Sequence, residues 1–352
     1  MSNPNPSLKI QVSHSRNFLS WLSDQQISLA LTTYQSSRLM LVGVNPQGQF
    51  SGFERIFDRA MGLYVTPDSQ RLYLASRYQL WQLNNVLSPG QLHNHYDKLY
   101  VPRIGYTTGD LDLHDLAVDS QGRIIFVSTV LNCLATVSHQ HSCLPLWKPS
   151  FISKVINEDR CHLNGLAMVE GKPAYVTACS QSDVVGGWRE KRKTGGCVID
   201  VASNEVIATG LSMPHSPRWY RDRLWLLNSG TGELGYLDRN KGEFQPVTFC
   251  PGYVRGLSFS GNYAIVGLSQ PRDETFMGLE LQTRLAEKEV SPRCGVMAID
   301  LSTGAVVEWL NFTGEVRELY DIQVLPGVQQ ATALGFQSDE ISRFLTLEAM
   351  AD

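Results

Sequence analysis

The chain has 352 residues, enough for a large core, and its 43% apolar and 18% charged content is a globular balance that excludes a disordered chain. A formal net charge of −4 offers no basic field for a nucleic-acid backbone, and no apolar run approaches the roughly 18 residues of a membrane span, so no nucleic acid and no membrane are expected as partners. The polar N-terminus lacks the apolar core of a signal peptide, and the seven cysteines contain no CxxC pair, which points to reduced thiols in a cytoplasmic protein.

Residues 1–15 are expected to be a flexible tail, with 16–352 forming a single domain. Residues 16–25 read as a short helix. The runs ISLALTTYQ, RLMLVGVN and QFSGFERIF follow as three strands with no opening strand of their own. From Arg59 a unit recurs. Its clearest copy is DLHDLAVDSQGRIIFVST, Asp112 to Thr129, which reads as strand, tight turn at Ser120-Gln121-Gly122, and strand. The units open at Gly62-Leu63, Asp115-Leu116, Gly165-Leu166, Pro217-Arg218, Gly256-Leu257 and Asp321-Ile322, at intervals of 53, 50, 52, 39 and 65 residues. A period near 50 filled with short strands signals a repeated four-stranded blade. Blades one to five are expected to end near Val101, Asp159, Leu211, Pro251 and Gly314. The last unit has one clear strand, YDIQVLP, and a weaker second, ATALGF, before Phe336. The three orphan strands of the N-terminus complete it. The expected fold is therefore an all-β, six-bladed β-propeller whose sixth blade is closed by N- and C-terminal strands, which removes exposed sheet edges.

Two insertions interrupt blades between their second and third strands: Gln181–Gly196, basic and glycine-rich around Trp188, and Gln270–Arg293, with a helix over roughly Thr275–Glu289. Up-and-down connectivity puts both on the face where His114 sits, either as lids or as tolerated surface loops. The tail after Phe336 reads as a short helix.

Residues just before each opening strand gather at one mouth of the central channel. They include Arg59 and Met61, Asp112, His114 and Asp115, His162 and Asn164, His215 and Ser216, Tyr253 and Arg255, and Glu318, Tyr320 and Asp321. Three imidazoles converging there have the ligand chemistry for a divalent metal ion (zinc, iron, copper or manganese), so His114, His162 and His215 are the candidate ligands. Asp112, Asp115 and Glu318 are candidates to orient them. Arg255, Tyr320, Glu318 and Arg59 are the candidate catalytic groups, and Asn164, Ser216, Tyr253 and Trp188 the candidate substrate contacts. The competing reading is that the histidines only hydrogen-bond neighbouring strands. On that reading Asn164 holds a turn and Arg218 pairs with Asp222 on its own blade.

At these residues a resemblance enters. HDLAVDSQGRIIFVST and HLNGLAMV resemble blade openings of the six-bladed propellers of the gluconolactonase, senescence-marker and strictosidine-synthase-like group. That resemblance implies a divalent cation held by a glutamate, asparagines and an aspartate. Asn164 matches one such asparagine, whereas His114 stands at the second, and Ala60 or Met61 at the glutamate. The histidines are similar in arrangement to those of the peptidyl-hydroxyglycine amidating lyase, a propeller with three histidines on zinc. TGDLDLHDLAVD, MPHSPRW and ELYDIQVLPG also resemble a family of bacterial propeller proteins of unassigned activity. The resulting expectation is a metal-dependent hydrolase or lyase acting on a small polar or anionic molecule at the axial mouth. The alternative is a non-catalytic propeller whose mouth and insertions grip a peptide or protein.

Overall fold

The computed structural model describes residues 10–270 and 278–347. Six sheets, antiparallel but for one added strand, form a ring, and each presents its first strand to the axis: Leu63–Val65, Leu113–Val118, Leu163–Val169, Pro214–Tyr220, Tyr253–Ser260 and Asp321–Pro326. The sixth sheet joins Asp321–Pro326 to Ile27–Thr33, Arg38–Val44 and Phe50–Ile56, so the two ends of the chain do build one blade.

Two further pairings differ from the sequence reading. Gln11–His14, expected in a tail, runs antiparallel to Val306–Thr313 as a fifth strand of blade five. Residues 1–9 lie outside the described residues. Ala331–Ala333, expected as the second strand of blade six, instead pairs in parallel with Lys98–Tyr100 on the outer edge of blade one. Both blades flanking the closure are thus held by an extra strand, which covers edges that would otherwise be open.

The helix Phe18–Asp24 buries Phe18, Trp21 and Leu22 against the closing blade and blade five. The second insertion forms a helix over Glu280–Glu287, shorter than expected: 278–279 and 288–289 are not helical, and 275–277 lie outside the described residues. The tail contributes a short helix, Glu340–Arg343. Six of the seven cysteines are fully buried and all are free thiols. Burial pushes Cys197 up to about 12, which keeps it a neutral, inert thiol.

The repeat step has a physical reason. The pairs His114-Asp115, Asn164-Gly165, Ser216-Pro217 and Arg255-Gly256 each fall where the register of their blade shifts, leaving two residues opposite one. Odd blades carry glycine there because the next blade's backbone lies against it. A Cβ on Gly165 would meet Pro217 Cδ at 2.3 Å, and one on Gly256, at φ +82°, would meet the Ile322 nitrogen at 2.7 Å. Even blades carry Asp115, Ser216 and Asp321, whose side-chain oxygens accept the N–H groups of Leu166 (3.0 Å), Gly256 (3.1 Å) and Leu63 (2.9 Å) on the following blade. Hydroxyls add bonds between blades at the same level. Thr129 donates to the Leu163 carbonyl, Ser229 to Val254, Ser269 to Leu319 and Thr32 to Met61.

Arg218 crosses the axis. Its guanidinium donates to both oxygens of Asp115 (2.7 and 3.1 Å) and to the Leu166 carbonyl (3.1 Å), and lies 3.8 Å from Asp321. The expected pairing with Asp222 does not form. One cation is thus shared by two buried carboxylates. Burial, opposed by Arg218, pushes the Asp321 carboxyl up to about 7.

Removing one partner of a buried ion group leaves the others uncompensated. Arg218→Met is therefore expected to lower unfolding free energy by about 3–5 kcal/mol in denaturant titrations. A D115N/R218M/D321N triple variant should recover most of that loss. A loss under ~1 kcal/mol in the single variant would show that the ring does not depend on this group.

Candidate functional site

Above the Arg218 group the axis opens into a cavity of about 260 Å³. It is lined by His114, His162 and His215, by Arg59, Arg255 and Asp112, and by Tyr253, Tyr320, Met61 and Trp188, all anticipated at the mouth or in the first insertion. Four further lining residues were not anticipated: Tyr34, Asp159, Arg189 and Met213. Both insertions rise on this face as expected. Trp188 packs with Leu279, Leu281 and Leu285 of the second insertion, over Met213 and Tyr253.

Local backbone geometry brings these residues together. Arg59, Asp112, His162 and Met213 all adopt left-handed φ of 49–53°, the last three immediately before an opening strand and Arg59 four residues before Leu63. Non-glycine residues seldom occupy this region, and such strain concentrates at functional sites. The sharp turn lets the side chain at the turn and, on blades one, two and four, the one two residues on (Met61, His114, His215) face the same cavity. That periodicity, 53, 50 and 51 residues apart, was the signal available for Met213. Nothing in the sequence distinguished Asp159 or Arg189.

The histidines are fixed by their Nδ1 atoms. His114 Nδ1 lies 3.0 Å from the Asp112 carbonyl and 2.8 Å from Thr129 Oγ1. His215 Nδ1 lies 2.8 Å from the Met213 carbonyl and 2.9 Å from Ser229 Oγ. A carbonyl only accepts, and both hydroxyls already donate to carbonyls, so each Nδ1 must carry the proton. Nε2 then bears the lone pair. Among the described residues nothing hydrogen-bonds to it. Burial, reinforced by neighbouring positive groups including Arg255, holds both imidazoles well below their ordinary pKa, so both are neutral at pH 7. His162 differs. Its Nδ1 meets the Asp159 carboxylate at 2.8 Å, and its ring stacks on Trp188 at 4.1 Å. Trp188 Nε1 donates to the same Asp159 oxygen at 2.8 Å.

Arg255 lies over the Tyr320 ring, 3.8 Å from its centroid, and has no carboxylate partner among the described residues. The Tyr320 hydroxyl is buried without a hydrogen-bond partner among the described residues, and burial keeps it protonated. Arg59, by contrast, is paired with Asp110 at 2.9 Å and with Asp112.

Three expected site residues do not line the cavity. Glu318 accepts from the Tyr34 hydroxyl at 2.8 Å, behind the wall. Ser216 is spent on the bond to the next blade. Asn164 is buried, with Nδ2 3.4 Å from Cys179 Sγ and Oδ1 without a partner among the described residues. Asp115, expected to orient an imidazole, holds Arg218 instead. All three expected metal ligands line the cavity. The His114 and His162 rings meet edge to face at 5.0 Å, whereas His215 turns its ring towards Tyr253 at 5.5 Å. No three histidine, cysteine, aspartate or glutamate side chains among the described residues come together to hold a metal ion.

The architecture is that of the six-bladed β-propellers. The family model described as "Domain of unknown function (DUF4915)" matches residues 16–334, and the chain belongs to that family. No curated protein matches. Among solved structures, a chain of a nidogen/laminin complex aligns with a TM-score of 0.54 at 13% identity, covering 86% of this chain and 99% of that one. Virginiamycin B lyase from Staphylococcus aureus aligns at 0.41 and 9% identity, covering 87% and 99%, as does a catalytically inactive form of it with quinupristin. At these identities the likeness concerns the fold alone. The comparisons do not place the chain in the gluconolactonase group.

The buried neutral imidazoles carry a pH signature. Their folded pKa values lie below the 6.5 of an unfolded histidine, so the unfolded chain binds more protons once pH falls below about 6.5. Their contribution to stability is complete above that pH and is lost below it. Between pH 6.5 and 5.5 the wild type should lose about 1–3 kcal/mol more than an H114Q/H215Q variant in urea titrations. Asp321 titrates in both proteins and cancels in the difference.

Proposed function

We propose that the axial cavity binds a small carboxylate-bearing molecule and removes a proton from the carbon beside its acidic group, a lyase-type chemistry. The observation that carries this reading is the pairing, in one cavity, of two neutral imidazoles with bare Nε2 atoms and a guanidinium lacking a carboxylate partner among the described residues. Arg255 grips the carboxylate and stabilises the charge that develops on it. The Tyr320 hydroxyl donates a hydrogen bond to the same oxyanion. Nε2 of His114 or His215 takes the proton, and its neutrality at pH 7 makes it available as a base. The electron pair of the broken C–H bond forms the new C=C bond, and the leaving group departs from the β carbon with its bonding pair. Tyr253 and Trp188 wall the cavity, and Arg59 is held back by its two aspartates.

Incubation in D₂O with a panel of small β-substituted carboxylates tests this. Wild type is expected to wash deuterium into the α position or to release unsaturated product. H114Q/H215Q should be slower by about 10²–10⁴-fold, and R255Q should bind more weakly. Equal rates in wild type and double variant, or binding indifferent to Arg255, would overturn the reading. Metal assistance remains a proposal on the same histidines. One equivalent of metal by plasma mass spectrometry, lost in H114A/H215A, would support it.

A second reading, a partner-binding propeller, has Val184 and Val185 in its favour, 68% and 62% exposed on the first insertion. It expects V184S/V185S to release a peptide or protein partner while leaving carboxylate binding unchanged.

A further inference from the structure

We infer that the ligand of the axial cavity is a dianion, with one acidic group on Arg255 in the depth and a second on Arg189 at the lip. This rests on the anion-binding reading above and narrows it to a substrate class. Among the described residues three guanidiniums line the cavity. Arg59 is already matched by Asp110 and Asp112. Arg255 and Arg189 have no carboxylate partner among the described residues and are held by aromatic rings instead, Arg255 by Tyr320 at 3.8 Å and Arg189 by Trp188 at 4.4 Å. Such contacts orient a guanidinium while leaving its N–H fork available for a bidentate carboxylate or phosphate.

Arg189 is itself exposed, but its platform, Trp188, is only 4% exposed. The indole is tied to Asp159 at 2.8 Å and stacked on His162, whose Nδ1 holds the same carboxylate oxygen. One carboxylate therefore fastens the first insertion to the mouth and sets the position of its arginine. Both donors go to Asp159 Oδ2; its Oδ1 is buried without a hydrogen-bond partner among the described residues. The cavity, about 260 Å³, is smaller than the roughly 300–1,000 Å³ of sites for drug-sized ligands. A short molecule would span from one guanidinium to the other, with the carbon beside the deeper acid near His114 and His215.

The test is calorimetric titration of wild type, R189Q and R255Q with succinate and glutarate, against butyrate and valerate of matched chain length. Wild type is expected to bind the dicarboxylates at least about tenfold tighter, since a second charge-assisted pair is worth roughly that factor. R189Q should reduce the dicarboxylates to the monocarboxylate level and leave the monocarboxylates unchanged. R255Q should weaken all four. Equal wild-type binding of both classes, or an R189Q change that weakens both alike, overturns the dianion while leaving Arg255-dependent anion binding in place. Failure of any of the four acids to show Arg255-dependent binding overturns both.

Discussion

One guanidinium, that of Arg218, holds two carboxylates at the axis, and the ring is arranged around it. Opening strands from six blades converge there, and the shift of register in their pairing frees N–H groups from the strand ladders. A buried N–H without an acceptor costs about as much as a lost hydrogen bond. Asp115, Ser216 and Asp321 supply those acceptors on alternate blades, and glycine on the blades between lets the backbones approach. Two aspartates at that depth need a cation, and Arg218 bonds directly to one and lies beside the other. Burial opposes full ionisation of the group, which is why Asp321 titrates near neutrality.

The same bulges make the site. In His114-Asp115 and Tyr320-Asp321, one residue of the pair goes down to the axial ion group and the other up to the cavity. Arg255-Gly256 repeats the arrangement with glycine as the lower member. Site residues adjacent in the chain to the most constrained atoms of the fold inherit their rigidity. The hydroxyls do double duty as well: Thr129 and Ser229 bond the following blade and, in the same act, fix the tautomers of His114 and His215. Preorganisation of the imidazoles is thus a by-product of how neighbouring blades are joined.

The blade period was legible because strand alternation and turn residues are local signals, and the small residue at each step reflects a close approach repeated around the ring. The closing blade followed from counting orphan strands. The histidine cluster followed from the same period, despite the different offsets of His114, His162 and His215 from the step. What the sequence hid was long-range and chemically ambiguous. Arg218 and Asp115 are 103 residues apart, and a nearby Asp222 offered an equally reasonable partner. Asp115 and His114 are neighbours with opposite destinations, which no pattern of residue types reveals. Asp159 and Arg189 come to the cavity through the packing of an insertion, and insertions do not follow the blade period. Ala331–Ala333 joins blade one in parallel, because the chain leaving blade six passes the outer edge of its neighbour.

Two uses of the same three imidazoles share one geometry. A proton at Nδ1 and a bare Nε2 suit either a metal ligand or a base, so the tautomers of His114 and His215 do not choose between them. The rings are held differently: His114 lies edge-on to His162, His215 packs against Tyr253, and His162 is tied to Asp159 and Trp188. The guanidiniums are distributed as well, Arg255 over Tyr320 and Arg189 over Trp188 of the first insertion. The side chains of the cavity thus come from several blades and one insertion, and the ring is what keeps those blades in register.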